Sequence, residues 1–235
     1  MQYAPPSAPA PSPVRSAPTA PSAQPVGIIR VLTSEDAEAV AEHGRLLERH
    51  YGFPTVSRCV PGQPYGIHDR ESERRAEPKI VALAREMAAE GAGALIISCA
   101  ADPALEQTRR AVDVPVIGAG AAAAAVSLGL GTRVGVLGIT DEAPPGVRAI
   151  LGDHFAGAVR PHDVRRTTDL GTPRGGVAVL EAAARLVESG ADTVLLACTG
   201  LTTIGIRPRL EDELGVPVVD AVLAAGLMAS YNRTR

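Results

Sequence analysis

Residues 91–100 read Gly-Ala-Gly-Ala-Leu-Ile-Ile-Ser-Cys-Ala, and residues 190–199 read Gly-Ala-Asp-Thr-Val-Leu-Leu-Ala-Cys-Thr. The two stretches align without a gap, so that Cys99 corresponds to Cys198. A short apolar run closed by a small polar turn is typical of a buried parallel strand that ends at the carboxyl edge of its sheet. The repeat therefore predicts two similar half-domains, each with a cysteine at the edge where open α/β sheets bind ligands.

The chain around these two stretches repeats the same order of elements. An apolar run at residues 27–32 opens the first half, and a similar run at residues 133–139 opens the second. After the first cysteine strand, Asp102 and Pro103 predict a helix start with an acidic cap and a proline in the first turn. Each half contains four strands that alternate with helices, the pattern of a doubly wound parallel sheet. We predict an α/β fold of two pseudo-symmetric, flavodoxin-like or Rossmann-like half-domains with the active site in the cleft between them.

The domain boundaries follow from composition and from this repeat. Residues 1–25 consist almost wholly of Ala, Pro and Ser, and such a segment buries too little apolar surface to offset the entropy of ordering. We predict a disordered tail over residues 1–25, a first half-domain over residues 26–130 and a second over residues 131–235. The C-terminal helix is a candidate for closing the first half-domain.

Composition excludes several classes of protein. The chain has 235 residues, 46% of them hydrophobic, and a net charge of −3, which suits one large or two small α/β domains. Lys79 is the single lysine and the arginines are scattered among acidic residues, so the basic stripe required for nucleic acid is missing. No apolar run reaches the ~20 residues that span a bilayer, and the N-terminus lacks a secretory apolar segment. We expect a soluble cytoplasmic protein that binds neither nucleic acid nor membrane.

The cysteines and histidines show no metal-binding pattern. Cys59, Cys99 and Cys198 are far apart in sequence, which favours neither a disulfide framework nor a zinc site. The five histidines lack metal spacing, and we expect most of them to be exposed. We therefore predict free thiols and no metal. Because a lone cysteine at a strand end usually packs as a small core residue, we assign that role to Cys59.

Cys99 and Cys198 are the predicted catalytic residues. Each lies between a buried strand and a helix start, where backbone N–H groups and the helix dipole favour the thiolate. Two opposed thiols suit a reaction in which one removes a proton from a carbon acid and the other delivers a proton to the opposite face. The predicted substrate-binding residues flank them or lie on the matching strand-to-helix turns: Thr33, Ser34, Ser98, Ala100, Thr140, Thr199 and Gly200.

Three segments around the two cysteines and the fourth strand form a recognisable set: Ser-Cys-Ala-Ala-Asp-Pro-Ala-Leu at residues 98–105, Pro-Val-Ile-Gly at residues 115–118 and Ala-Cys-Thr-Gly at residues 197–200. They resemble the aspartate/glutamate/hydantoin racemase superfamily, most of all its hydantoin and allantoin racemase branch. The resemblance extends over about residues 27–231. It implies two half-domains, two opposed acid-base cysteines, no cofactor or metal, a small-molecule substrate and a homo-oligomer. The function that it implies is racemisation of a 5-substituted hydantoin or a related amino acid derivative.

One departure from the superfamily pattern bears on the substrate. Members often have a Gly-x-x-Glu-Ala motif after the first Pro-Val, whereas here Gly118 is followed by Ala-Gly-Ala-Ala. If that glutamate binds substrate in relatives, its replacement leaves the particular substrate open.

Three alternatives stay open at this point. Within the superfamily, a maleate isomerase or an arylmalonate decarboxylase would use the same architecture, although the decarboxylases keep only the second-half cysteine, against which Cys99 argues. Gly-Ala-Gly-Ala-Ala-Ala at residues 118–123, with Asp141 after the next strand, imitates a dinucleotide-binding fingerprint. The third is a non-catalytic module that binds a small acid in the cleft.

Overall fold

The structure, a computed structural model, describes residues 24–233. Its strands are short and mostly buried, as the apolar runs predict. The predicted tail lies outside the described residues except for Gln24 and Pro25. The strands are β1 (Val26–Arg30), β2 (Thr55–Cys59), β3 (Ala94–Ser98), β4 (Val116–Gly118), β5 (Val134–Leu137), β6 (Phe155–Val159), β7 (Thr193–Leu196) and β8 (Val218–Asp220).

Helices separate the strands. Within residues 24–233, none of them is both long and apolar enough to cross a membrane. They are α1 (Ala37–Tyr51), α2 (Arg70–Ala89), α3 (Leu105–Ala111), α4 (Ala119–Leu128), α5 (Pro145–Leu151), α6 (Pro173–Glu188), α7 (Thr199–Thr203), α8 (Arg207–Leu214) and α9 (Ala221–Asn232), with 3₁₀ helices at Gly152–His154 and Thr167–Gly171.

The strand order explains where the two cysteines lie. The strands form two parallel four-stranded sheets of identical order, β2-β1-β3-β4 and β6-β5-β7-β8. In each sheet the order reverses between the first and third strands, β1 and β3 or β5 and β7. Such a switch point opens a crevice at the carboxyl ends of the strands, where ligands bind in α/β sheets. Cys99 directly follows β3 and Cys198 follows β7 by two residues, so both lie at a switch point. The predicted α/β fold with two similar halves is confirmed.

Two alanine-rich helices hold the halves together. Helices α4 and α9 pack against each other, α4 also against α5 and β7, and α9 against α1 and β3. The last helix of the chain therefore packs on the first sheet. One apolar core includes residues from both halves, such as Ile96 on β3 and Leu195 on β7. Because this core is shared, the assignment of residues 26–130 and 131–235 to separate half-domains stays a prediction.

Asp102 caps a different helix from the one that the sequence predicted. The helix after it begins at Leu105 and has no side-chain cap. The Asp102 carboxylate instead accepts hydrogen bonds from the backbone N–H groups of Gly120 at 2.8 Å and Ala121 at 2.6 Å, in the first turn of α4. The prediction was wrong because Asp102 has a left-handed backbone, with φ of 51°, which directs the chain away from a regular helix start.

Two glycines allow the loop of Asp102 to reach α4. A Cβ atom at Gly118 would lie within 2.7 Å of the Asp102 carboxylate. A Cβ atom at Gly120 would overlap the carbonyl oxygen of Ala100, the residue after Cys99. The glycines of this segment therefore serve close packing of the Cys99 turn against α4.

We expect Gly120→Ala to lower the free energy of unfolding by about 1–3 kcal/mol, because the added methyl group forces backbone apart in a packed region. Gly146→Ala is the matched control. It adds a methyl group within helix α5, with no atom inside 4 Å of the new Cβ, and should be neutral or slightly stabilising. Urea denaturation of the two variants and the parent protein measures the difference. Equal stabilities would show that the Cys99 turn adapts at no cost.

Candidate active site

The carboxyl edges of the two sheets enclose a cavity of about 370 Å³. This volume lies within the range of about 300–1,000 Å³ that is typical of small-molecule sites. Cys99 lines the cavity from the first half and Cys198 from the second. The structure therefore brings the two repeat-related thiols to one site, each nearly buried at 8% exposure.

The cavity includes most of the predicted site residues. The lining contains Ser98, Ala100, Thr140, Thr199 and Gly200 beside the two cysteines.

Thr33 and Ser34 are not brought to this cavity. The hydroxyl of Thr33 donates to the carbonyl of Val60 at 2.6 Å and accepts from the N–H of Gln63 at 2.7 Å, which holds the loop after β2. The hydroxyl of Ser34 accepts from the N–H of Asp36 at 3.2 Å, just before α1. The sequence predicts both as substrate-binding residues because they lie on the strand-to-helix turn that corresponds to the turn of Thr140. Thr140 does line the cavity.

The two thiols share one kind of environment. The backbone N–H of Ala101 lowers the pKa of the Cys99 thiol, and the N–H groups of Gly200 and Leu201, with the hydroxyl of Thr167, lower that of Cys198. Thr167 belongs to a 3₁₀ segment ahead of α6 that also lines the cavity. A Cβ atom at Gly200 would lie 2.5 Å from the Thr167 methyl group, so the glycine admits this contact.

The sequence predicts that both thiols ionise easily, but burial raises the pKa of Cys99 and of Cys198. The nearby backbone N–H groups offset only part of this rise. The pKa of Cys99 is raised further by the neighbouring Cys198 and by Asp102. The free protein therefore holds two protonated thiols at neutral pH.

The carboxyl of Asp102 has an unusual pKa as well. Burial raises it to about 6, against the lowering effect of the N–H groups of Gly120 and Ala121. A carboxyl that titrates near neutral pH thus lies three residues after Cys99.

His43 is a functional candidate that the sequence reasoning missed. The sequence predicts that most histidines are exposed, but His43 is 1% exposed, on the face of α1 that also buries Gly44 and Leu47. Its Nδ1 lies 2.7 Å from the hydroxyl of Ser98, and its Nε2 lies 3.1 Å from the hydroxyl of Thr203. The helical spacing of His43 and Leu47 is the signal that identifies this buried position.

The imidazole of His43 connects the two cysteine turns. Ser98 precedes Cys99, and Thr203 belongs to α7, the helix whose N-cap is Cys198. A second link joins the same turns, because the hydroxyl of Thr199 donates to the carbonyl of Ser98 at 3.1 Å. Burial lowers the pKa of His43 well below its usual value, so the ring is neutral and offers one donor and one acceptor to the two hydroxyls.

The comparisons with known proteins agree with this geometry. The Asp/Glu/Hydantoin racemase family matches residues 49–229. The chain belongs to this family. A hydantoin racemase of Rhizobium meliloti is 28% identical over 212 residues, which cover 87% of this chain and 86% of the relative. The structure of an allantoin racemase from Klebsiella pneumoniae superposes with a TM-score of 0.76 at 26% identity, over 88% of this chain and 86% of that one.

Membership makes the protein an isomerase of the racemase type, which confirms the prediction from the sequence. An arylmalonate decarboxylase structure has the same fold, with a TM-score of 0.55 at 19% identity over 89% of this chain and 92% of that one. The fold alone therefore does not distinguish racemisation from decarboxylation, and the residues of the cavity must do so.

The glycine-rich segment at residues 118–123 does not serve as a dinucleotide-binding site. In a dinucleotide site the first turn of the helix binds a phosphate through its free N–H groups. Here the carboxylate of Asp102 already occupies the N–H groups of Gly120 and Ala121. Asp141, the other part of the supposed fingerprint, is exposed and forms an ion pair with Arg160 at 2.8 Å.

We expect the alkylation of Cys99 and Cys198 by iodoacetamide to rise by about tenfold per pH unit from pH 7 to pH 9, because the thiolate reacts and a raised pKa keeps its fraction small. Peptide mass spectrometry gives the rate at each cysteine. Cys59, half-buried outside the cavity lining, is the internal reference for reagent stability. A rate that levels off below pH 8 at either active-site cysteine would contradict the raised pKa.

We expect His43→Leu to reduce the free energy of unfolding by about 1–3 kcal/mol, because it leaves the buried hydroxyl of Ser98 without a partner. Combining it with Ser98→Ala should cost less than the two separate losses together, as coupled residues do. His50→Leu, an exposed position on the same helix, should change stability by no more than about 0.5 kcal/mol. Additive losses from His43→Leu and Ser98→Ala would show that the two residues do not interact.

Proposed function

We propose that the protein is a cofactor-independent racemase of a carbon acid, either a 5-substituted hydantoin or a related amino acid derivative. The observation that carries this proposal is the presence of Cys99 and Cys198, from equivalent positions of two similar halves, on one cavity. The relatives named hydantoin racemase and the structural neighbour named allantoin racemase support the substrate class.

The proposed reaction is a proton transfer at one carbon atom. One cysteine, as the thiolate, removes the proton from the carbon next to a carbonyl group, and the electron pair moves into the carbonyl to form an enolate. The other cysteine, as the thiol, delivers its proton to the opposite face of that carbon. The configuration is inverted, and the two cysteines have exchanged protonation states.

This reaction needs one thiolate and one thiol at the same time. The two thiols repel each other electrostatically when ionised, which raises the pKa of Cys99. Once one of them has lost its proton, the second is therefore harder to ionise, as in other coupled pairs. Burial thus limits the thiolate population, while the mutual repulsion preserves the acid partner. Both effects suit a pair that acts as base and acid in turn.

We propose that the predicted residues that line the cavity bind the substrate around the reacting carbon. Ala100 and Gly200 are small and adjoin the two cysteine turns, which leaves space for a ring. The backbone N–H groups of these turns are the candidates for stabilising the enolate oxygen. Thr140 and Thr199 add hydroxyl oxygens to the wall, although those hydroxyl protons are donated to the carbonyls of Glu142 and Ser98.

Cys99 argues against one rival, the decarboxylase, and proton exchange at a stereocentre would distinguish the proposal from the others. A decarboxylase of this fold with a single cysteine would not need Cys99 on the cavity. A maleate isomerase or a module that only binds a small acid would not exchange a proton at a stereocentre. All three cysteines are free, which suits the reducing cytoplasm that we propose as the location.

We expect Cys99→Ala and Cys198→Ala each to abolish racemisation while retaining different partial reactions. In each variant the remaining thiolate can still remove and return a proton on its own face. Exchange of the substrate hydrogen with deuterated water should therefore survive for one enantiomer in Cys99→Ala and for the opposite enantiomer in Cys198→Ala. Proton NMR of each enantiomer of a hydantoin, with chiral chromatography, gives both readouts.

Cys59→Ala is the matched control for these variants. It removes the same sulfur atom outside the cavity lining and should change racemisation and exchange by no more than a few-fold. Near-native racemisation by either folded active-site variant would rule out the two-thiol mechanism.

A further inference from the structure

Arg30 is a buried cation in the wall of the cavity. It ends strand β1 and is 6% exposed, yet it belongs to the cavity lining. A buried charge is costly unless it is paired with an opposite charge or fully hydrogen-bonded. Arginines are therefore rarely buried without a carboxylate or phosphate beside them.

The partners of Arg30 are neutral. Its Nη1 atom donates to the carbonyl of Ala39 at 2.7 Å and to that of Val40 at 3.4 Å. Among residues 24–233, no carboxylate lies within 4 Å of the guanidinium, and no hydrogen bond of its other nitrogen atoms to the protein is present. Cys59, its register partner on β2, and Glu42 act on it electrostatically, and neither forms an ion pair or a hydrogen bond with it. Burial lowers the pKa of Arg30, as expected for a cation without an adjacent anion, but an arginine stays charged at neutral pH.

The carboxylates that line the cavity do not neutralise Arg30, and Arg70, which also lines it, is a second cation. Asp69 and Glu142 are exposed, and Asp69 already accepts hydrogen bonds from Ser72 in the capping box of α2. Glu73 is half-buried in the first turn of α2, and its pKa is raised chiefly by that burial. These carboxylates belong to the α2 start and the loop before α5, whereas Arg30 belongs to the sheet edge.

The position of Arg30 relates it to the reacting thiol of the first half. In the parallel pairing of β1 with β3, Arg30 is in register with Ser98, the residue before Cys99. Arg30 thus ends its strand at the sheet edge that carries Cys99, at the switch point between β1 and β3, and both residues line the cavity. An anionic substituent at this edge would be close to a carbon placed between the two cysteines.

We propose that Arg30 binds a carboxylate of the substrate and so selects carbon acids that carry an acidic substituent. A guanidinium and a carboxylate form two parallel N–H···O bonds, and burial strengthens this pairing. The ligand would supply the counter-charge that the described protein does not. This inference rests on the proposed racemase function and specifies its substrate class.

The test compares two substrates of nearly identical shape. They are 5-(2-carboxyethyl)hydantoin and 5-(2-carbamoylethyl)hydantoin, which differ in charge but not in the number of heavy atoms. In the parent enzyme we expect kcat/KM for racemisation to be about tenfold to a hundredfold higher for the carboxylate, the range for a charge-assisted hydrogen bond. In Arg30→Gln the ratio of the two values should fall to about one or below. Arg30→Lys, which keeps the charge but loses the two-pronged geometry, should give an intermediate ratio.

Both kcat/KM values are measured with the same enzyme preparation. Partial unfolding of a variant lowers both equally and therefore does not change their ratio. Arg49→Gln, an exposed position on α1 outside the cavity lining, removes the same charge and should leave the ratio unchanged. A ratio near one in the parent enzyme, or an unchanged preference in Arg30→Gln, would overturn the proposal.

A binding measurement separates failure of this inference from failure of the proposed function. If neither hydantoin is racemised, the racemase proposal fails, and the melting temperature with each compound then tests Arg30 independently of turnover. The proposal for Arg30 holds if the carboxylate raises the melting temperature of the parent protein more than the amide does and Arg30→Gln removes that difference. Equal shifts with both compounds in the parent protein would reject it.

Discussion

The geometry of the active site depends on a few buried hydrogen bonds that cross between the halves. The hydroxyl of Thr199 donates to the carbonyl of Ser98, and the ring of His43 joins the hydroxyls of Ser98 and Thr203. These bonds hold two turns that belong to different sheets. A reaction that needs two groups on opposite faces of one carbon tolerates little error in their separation. Hydrogen bonds in a low-dielectric interior provide such precision, because breaking one leaves a buried polar group unpaired.

Burial keeps the two thiols of the cavity neutral but leaves Arg30 charged. It keeps the two thiols protonated in the free protein, since an isolated thiolate would lose its hydration. The same burial leaves the charge of Arg30 without a partner and so favours an anionic ligand. In the proposed reaction an anionic substrate would meet a charge that attracts it and two thiols that are protonated. The thiolate would then form only in the complex with the substrate.

The two halves are similar, but the caps of their central helices differ. In the second half Asp220 caps its own helix, α9, through the N–H groups of Val222 and Leu223. In the first half the matching position is Gly118, and the cap of α4 is Asp102, from the turn that carries Cys99. The exchange couples the Cys99 turn to α4, a helix that also packs on the second sheet. The carboxyl of Asp102 has a pKa of about 6, and the second half has no such group, because the corresponding residue is Leu201.

The sequence alone determined the α/β fold, its internal repeat and the position of both cysteines, because apolar periodicity and strand ends are local properties of the chain. It also identified the family through the residues around Cys99 and Cys198. Only the tertiary structure decided that His43 is buried between the halves, that Thr33 turns away from the cavity and that Asp102 caps α4. Each of these depends on partners 18 to 160 residues apart. The helical spacing of His43 and Leu47 indicates a buried face, but no local pattern identifies the partners. The raised pKa of the thiols has the same origin, since burial is a property of the assembled core and not of the strand end.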